Sequence, residues 1–161
     1  MLLVRATEQG KTDGEALLRS VIVPLDGSVL AEQVLPEVTE IAKQMNLEVI
    51  LTRAYALPTS VGGEDYGSYA AEFLEQLENA ARDYLQEKAK EIKQGGVEKV
   101  SLFVHIGYGA EEIITLARQT PDNLIAMCTH GRSGIKRWVL GSVTERVVSH
   151  AGDPVLIIRA G

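Results

Sequence analysis

Five short apolar runs alternate with segments whose apolar residues recur every three or four positions, and this alternation leaves few folds open. The runs are VIVPL (21–25), LEVILTRAYAL (47–57), VEKVSLFVHIG (97–107), LIAMCTH (124–130) and PVLIIRA (154–160). Continuous β-branched and aliphatic runs of this length suit strands buried on both faces, and helical stretches between them suit right-handed crossovers. The expected fold is α/β: a single doubly wound, Rossmann-like domain with a five-stranded parallel sheet and helices on both faces. In the third run Ser101, Phe103 and His105 alternate with Val100, Leu102, Val104 and Ile106, a less apolar face that suits an edge strand.

Between the strands, Ser28 is placed to cap a helix carrying Leu30, Val34, Val38, Ile41 and Met45, with a break or restart at Pro36. Residues 58–68, with three glycines and no periodicity, read as a mobile loop. A long helix comes next, with Phe73, Leu77, Ala80, Ala81, Tyr84, Leu85 and Ile92 on one face and Gly95-Gly96 closing it. A short helix is expected over 110–119, and a last one over 142–150 with Val143, Val147, Val148 and Ala151 buried.

With 161 residues, 45% of them hydrophobic, the chain can build one core and not two, so 1–18 is expected to be a weakly ordered N-terminal extension and 19–161 the domain. A net charge of −6 opposes the electrostatic attraction that supplies nonspecific nucleic-acid affinity, and no nucleic-acid partner is expected. No run approaches the length of a membrane span, and a lone Cys128 gives no sign of a disulfide framework; the expected location is the cytoplasm.

Ligands of doubly wound sheets gather beyond the carboxyl ends of the strands, where strand order reverses. The loops to search are therefore Asp26-Gly27-Ser28, 53–67, 107–109 and the stretch from Gly131 to Gly141. Ser142-Val143-Thr144-Glu145 has the pattern of a capping box with Ser142 as N-cap, and Gly141 before it leaves a helix start open to a close-approaching anion. Gly131 gives the same freedom after the fourth strand, and Arg132, Lys136 and Arg137 add positive charge between the two. The same glycines equally serve turns, and the same basic residues a solvated surface. Asp26 likewise suits either an adenine amino group or ribose hydroxyl, or a plain turn.

Other chemistries find little support. There is no Gly-x-x-x-x-Gly-Lys-Ser/Thr phosphate loop, and Gly107-Tyr108-Gly109 lacks the third glycine of a dinucleotide fingerprint. Gly131-Arg132-Ser133-Gly134 is one residue short of a nucleophile elbow, and His105, His130 and His150 lie on separate elements without metal-ligand spacing. Cys128, at the end of an apolar strand, reads as a buried inert thiol.

The stretch Cys128-Thr129-His130-Gly131, nine residues, then Gly141-Ser142, resembles the universal stress protein family, whose nucleotide-binding members carry Gly-x-x-Gly, nine residues, then Gly-Ser or Gly-Thr. VIVPLDGS resembles the family's first strand, and GSVTERVVSHAGDPVLIIR its carboxyl end, so the likeness runs from Ser20 to Arg159. Cys128 stands where the motif has its first glycine. The resemblance implies strand order 3-2-1-4-5 and binding of ATP, or ADP or AMP, with Mg2+ or Mn2+ carried by the phosphates. It implies adenine between Asp26 and the backbone near Ala54, with Pro24, Leu25, Met127 and Cys128 around the adenosine. Gly131, Arg132, Gly141, Ser142, Val143 and Thr144 are the corresponding phosphate-end residues. No catalytic or metal-ligating side chain is implied, and any hydrolysis would be slow, with no poised base and no phosphate-loop lysine. A homodimer through the fifth strand (Val155, Leu156, Ile157, Ile158) is also implied. The expected function is a cytoplasmic stress or signalling protein in which nucleotide orders the 58–68 loop; the alternatives are a nucleotide-free dimeric scaffold and a slow ATPase.

Overall fold

Val21, Ile22 and Val23 are wholly buried, and around them a sheet is laid down whose order depends on which strands can be covered on both faces. In a computed structural model the described residues are 2–3, 17–56, 66–129 and 141–159. The strands are β1 (Leu2–Leu3), β2 (Ser20–Pro24), β3 (Glu48–Tyr55), β4 (Val100–Ile106), β5 (Asn123–Cys128) and β6 (Val155–Ile158). The helices are α1 (Val29–Glu32), α2 (Leu35–Met45), α3 (Tyr66–Gln94), α4 (Gly109–Gln119) and α5 (Ser142–His150).

Sheet order is β1-β6-β5-β2-β3-β4, with β2 through β6 parallel. Counting only the parallel strands in chain order gives 3-2-1-4-5, the order that the resemblance implies. Successive side chains point to opposite faces, so the strands feed two cores. Val21, Val23, Val49 and Leu51 pack with Val34, Val38, Leu85 and Ile92 from α2, α3 and the segment before α2. Ile22, Ile50, Ile125 and Ile157 pack with Ile113, Leu116 and Val147 from α4 and α5. β4 is an edge strand, and Phe103 and Ile106 on it are 40% and 58% exposed.

Two helix signals take their expected form. Ser28 is the N-cap of α1 and its Oγ accepts from the Ala31 amide at 3.1 Å. The helix then breaks and restarts as α2, with Pro36 in the first turn, where its missing N–H has no intrahelical partner to lose. Gln94 ends α3, and Gly96 lies just beyond it at φ +101°.

Elsewhere the structure departs from expectation. Tyr66–Ser68, expected in the glycine-rich loop, already belong to α3, while 57–65 lie outside the described residues. Phe73 is 43% exposed, and among the residues of α3 from 71 onward the first buried one is Ala81. The cause is length: 29 residues of helix span about 43 Å, whereas β3 and β4 span about 25 Å, so the first turns of α3 overhang the sheet. Met45, expected on the buried face, is 53% exposed at the last turn of α2. In α5 the buried polar residue is Thr144, and Val143 stands exposed at the helix mouth.

The N-terminal extension is not wholly without structure. Leu2 and Leu3 pair antiparallel with Leu156 and Val155 and extend the sheet to six strands. Residues 4–16 lie outside the described residues.

Leu85 has no exposed surface and, with Ala89 and Ile92, anchors α3 to the sheet. Leu85→Ala is expected to lower stability by about 3 kcal/mol, within the range for large-to-small core changes, as read from urea unfolding midpoints.

Candidate functional site

β2 and β5 are neighbours, yet the chain leaves β2 toward α1 and α2 on one face of the sheet and leaves β5 toward α5 on the other. Between the two departing loops a cleft of about 320 Å³ opens beyond the carboxyl ends of the strands. Pro24, Leu25 and Asp26 after β2 line it, with Thr52 and Ala54 on β3. Cys128 closes one side, and Gly141, Ser142, Val143 and Thr144 at the start of α5 form the far wall.

Nine of the twelve residues expected at the site thus meet in one cavity. Met127, expected against adenosine, is buried in the α4/α5 core and is not part of the wall. Gly131 and Arg132 lie outside the described residues, as do His130, Ser133, Gly134, Lys136 and Arg137. Gly109 lies in the 107–109 loop marked for search after the third run, whereas Ala31, Thr52, Glu112 and Ile113 line the cleft without having been expected there. Glu112 follows that Gly-x-Gly stretch by three residues, and its place in the first turn of the helix after the marked loop is the signal by which sequence could have found it.

The start of α5 differs from the expected capping box. Gly141, not Ser142, is the N-cap, and among the described residues no side-chain cap bond is made. The Glu145 amide bonds to the Gly141 carbonyl at 2.8 Å, which makes Ser142 the first helical residue. Two bonds hold this end on the sheet: Gly141 N–H donates to Thr129 O at 2.9 Å, and the buried Thr144 hydroxyl donates to Cys128 O at 3.1 Å. The amides of Ser142, Val143 and Thr144 therefore occupy the positions that have no acceptor within a helix, and they carry its positive dipole end into the cleft. Gly141 itself has φ −58° and ψ 150°, angles that any residue adopts. Its missing side chain matters for approach and not for backbone freedom.

Asp26 takes up the turn role. Its Oδ1 accepts from the Ser28 amide at 2.9 Å and the Ser28 hydroxyl at 2.6 Å, and Ser28 in turn caps α1. Beneath this turn, Gly27 at φ +84° leaves room for Arg53, whose guanidinium would come within 3.0–3.2 Å of any Cβ there. Arg53 stacks 4.7 Å above the Tyr84 ring. The Tyr84 hydroxyl donates to Glu32 at 2.9 Å, and Lys88 bridges Glu32 and Glu91 at 2.9 and 3.0 Å. Burial, and then the Glu32 carboxylate, raise the Tyr84 pKa above the ordinary tyrosine value. Burial opposes the Lys88 charge, but its hydrogen bonds to Glu32 and Glu91 outweigh that and raise its pKa. The loop after β2 is thus braced from behind by α1, β3 and α3, a support invisible to local sequence reading because its members lie up to 65 residues apart (Asp26 to Glu91).

On the cleft wall Cys128 is a neutral thiol, its pKa pushed up to about 11 by burial, with Glu37 adding to the effect. Among the described residues no cluster of three or more His, Cys, Asp or Glu is placed to hold a metal, and no helix is long and apolar enough to cross a membrane.

Comparison with known proteins agrees with this architecture. The model of the universal stress protein family matches residues 18–159. A universal stress protein of Methanocaldococcus jannaschii is 31% identical over 147 residues, covering 91% of this chain and 85% of the relative. The solved structure of a second M. jannaschii universal stress protein, 27% identical, aligns over 90% of this chain and 98% of its own with a TM-score of 0.76. A universal stress protein of Archaeoglobus fulgidus, solved in complex with dAMP, is 18% identical and shares the fold, with a TM-score of 0.58 over 88% of this chain and 98% of its own.

The buried thiol gives a pH dependence. Cys128 titrates near 9 when unfolded and near 11 when folded, so the native state holds its proton more tightly. The stabilisation is complete below pH 9 and is lost as pH rises toward 11. Wild type is expected to lose stability over that window more steeply than Cys128→Ala in chemical denaturation; parallel curves would contradict a buried, protonated thiol.

Proposed function

The chain belongs to the universal stress protein family, and from that premise we propose that it is a cytoplasmic adenine-nucleotide-binding protein of stress signalling, with ATP as the principal ligand. The observation that carries this reading is the uncapped start of α5 facing a cleft beside Asp26 and Ala54. Three amides without helical acceptors, at the positive end of a helix dipole, favour an anion over water. The apolar walls from Pro24, Leu25, Ala31 and Cys128 suit the flat faces of a nucleoside. A relative solved with dAMP supports the choice of adenine.

In this reading Gly141, Ser142, Val143 and Thr144 receive the phosphates, together with Gly131 and Arg132, while Asp26 and the Ala54 backbone flank the base. Cys128, neutral and small, packs against the adenosine in place of the motif glycine. A divalent Mg2+ or Mn2+ is carried by the phosphates. Occupancy of the cleft is transmitted to partners through residues 58–65, and chemistry on the phosphates is at most slow.

Titration calorimetry of wild type and Gly141→Val with ATP tests the reading. Since the backbone angles at 141 accept valine, the variant keeps its fold and loses affinity by at least about tenfold, or about 1.4 kcal/mol. Equal binding by both proteins, or none by wild type at millimolar ATP, would contradict it.

We also propose a homodimer through β6. What supports it is that β6 accepts an antiparallel strand, as its pairing with Leu2–Leu3 demonstrates. Ile157 is 2% exposed and belongs to the core, so contact is through the strand's backbone edge with Leu156 and Ile158 beside it. A second copy then displaces or exchanges Leu2–Leu3. Light scattering on the full chain is expected to give twice the chain mass; a single-chain mass at all concentrations would rule the dimer out.

A further inference from the structure

Glu112 stands in the cleft wall on the β4 side, and its position is built by its neighbours. Gly107, at φ +146°, makes the space for it: a Cβ there would lie 2.5 Å from Glu112 Oε1 and 3.0 Å from the carboxyl carbon. His105 lies behind it, Nδ1 3.7 Å from Oε2, with its own ring stacked on Phe103 at 6.1 Å between centroids. His105 pairs in register with Ala54, which places this carboxylate beside the strand that flanks the proposed base site. The adjacent Glu111 turns the other way and pairs with Arg146 of α5 at 2.6 Å. One first-turn glutamate therefore joins α4 to α5, while the other is turned into the cleft. Among the described residues no donor lies within hydrogen-bond distance of the Glu112 carboxylate; the His105 separation is too long.

An ionised carboxylate is an acceptor only. Phosphate oxygens are acceptors with negative charge, and they are repelled from it. The part of a nucleotide that can rest on Glu112 is the part bearing N–H or O–H groups, which is the nucleoside. We infer that Glu112, set in place by Gly107 and His105, reads the nucleoside by accepting hydrogen bonds from its amino or hydroxyl donors, and thereby fixes the direction in which the nucleotide enters, phosphates toward α5. This inference rests on the proposal that the cleft binds a nucleotide.

The test is calorimetry of wild type, Glu112→Gln and Glu112→Asp with ATP, adenosine, dATP and inosine triphosphate, with thermal unfolding of each apo protein to confirm the fold. Losing a bond to a charged acceptor is expected to weaken ATP and adenosine by the same factor, about tenfold. Glu112→Asp keeps the charge at the start of α4 but withdraws the carboxylate by one methylene, and a similar loss is expected; a charge acting only on the helix dipole would leave binding unmoved. The analogue lacking the contacted group binds wild type and both variants alike: dATP if a ribose hydroxyl is the donor, inosine triphosphate if the adenine amino group is. If Glu112→Gln binds ATP as well as or better than wild type, the carboxylate only repels and the inference is overturned while nucleotide binding stands. If wild type binds neither ATP nor adenosine, both readings fail together.

Discussion

Everything at the site depends on the pairing of β2 with β5, two strands far apart in the chain and joined at Ser20–Asn123, Val21–Leu124 and Ile22–Ile125. Parallel strands need crossovers, and right-handed crossovers that begin on neighbouring strands and run outward in opposite directions must leave on opposite faces. The loops after β2 and β5 are thereby pulled apart. The cleft is the space they leave, and its walls are the first residues beyond each strand's carboxyl end.

The two walls differ in charge. On the β5 side, two hydrogen bonds seat the helix start on the sheet, so amides that have no acceptor within the helix stand at the cleft. On the other side stand Asp26, already accepting from Ser28, and Glu112, held in the space left by Gly107. A cavity with a donor end and an acceptor end suits a ligand with the opposite arrangement, and a nucleotide has acceptor phosphates at one end and donor groups on its nucleoside. Arg53, in the space that Gly27 leaves and itself on Tyr84, braces the acceptor wall from behind.

The fold is legible in the sequence because its signals are local and periodic. β2 and β5 are continuous apolar runs, Ser28 sits one residue before α1, and Pro36 marks the restart of α2. The cleft is legible because a doubly wound sheet fixes where its loops converge, so the order of Asp26, Ala54 and Gly141 in the chain is enough to bring them together. The features that escape sequence depend on tertiary geometry. Ser142 has the look of a cap because Ser-x-x-Glu is a local pattern, but Thr129 and Cys128 take up Gly141 N–H and the Thr144 hydroxyl and shift the helix start by one residue. The overhang of α3 comes from a mismatch between helix and strand rise that no window on Phe73 contains. Leu2 and Leu3 give no signal because a two-residue strand has no periodicity, and only the open edge of β6 provides them a place.

Whether the open amides of α5 receive the phosphates of an adenine nucleotide can be read from backbone amide chemical shifts recorded during an ATP titration. The largest shifts are expected at Ser142, Val143 and Thr144, with smaller ones at Asp26 and Ala54, all saturating together. Unchanged amides at 142–144 under ATP concentrations that shift resonances elsewhere would place the nucleotide, and the function, at another surface.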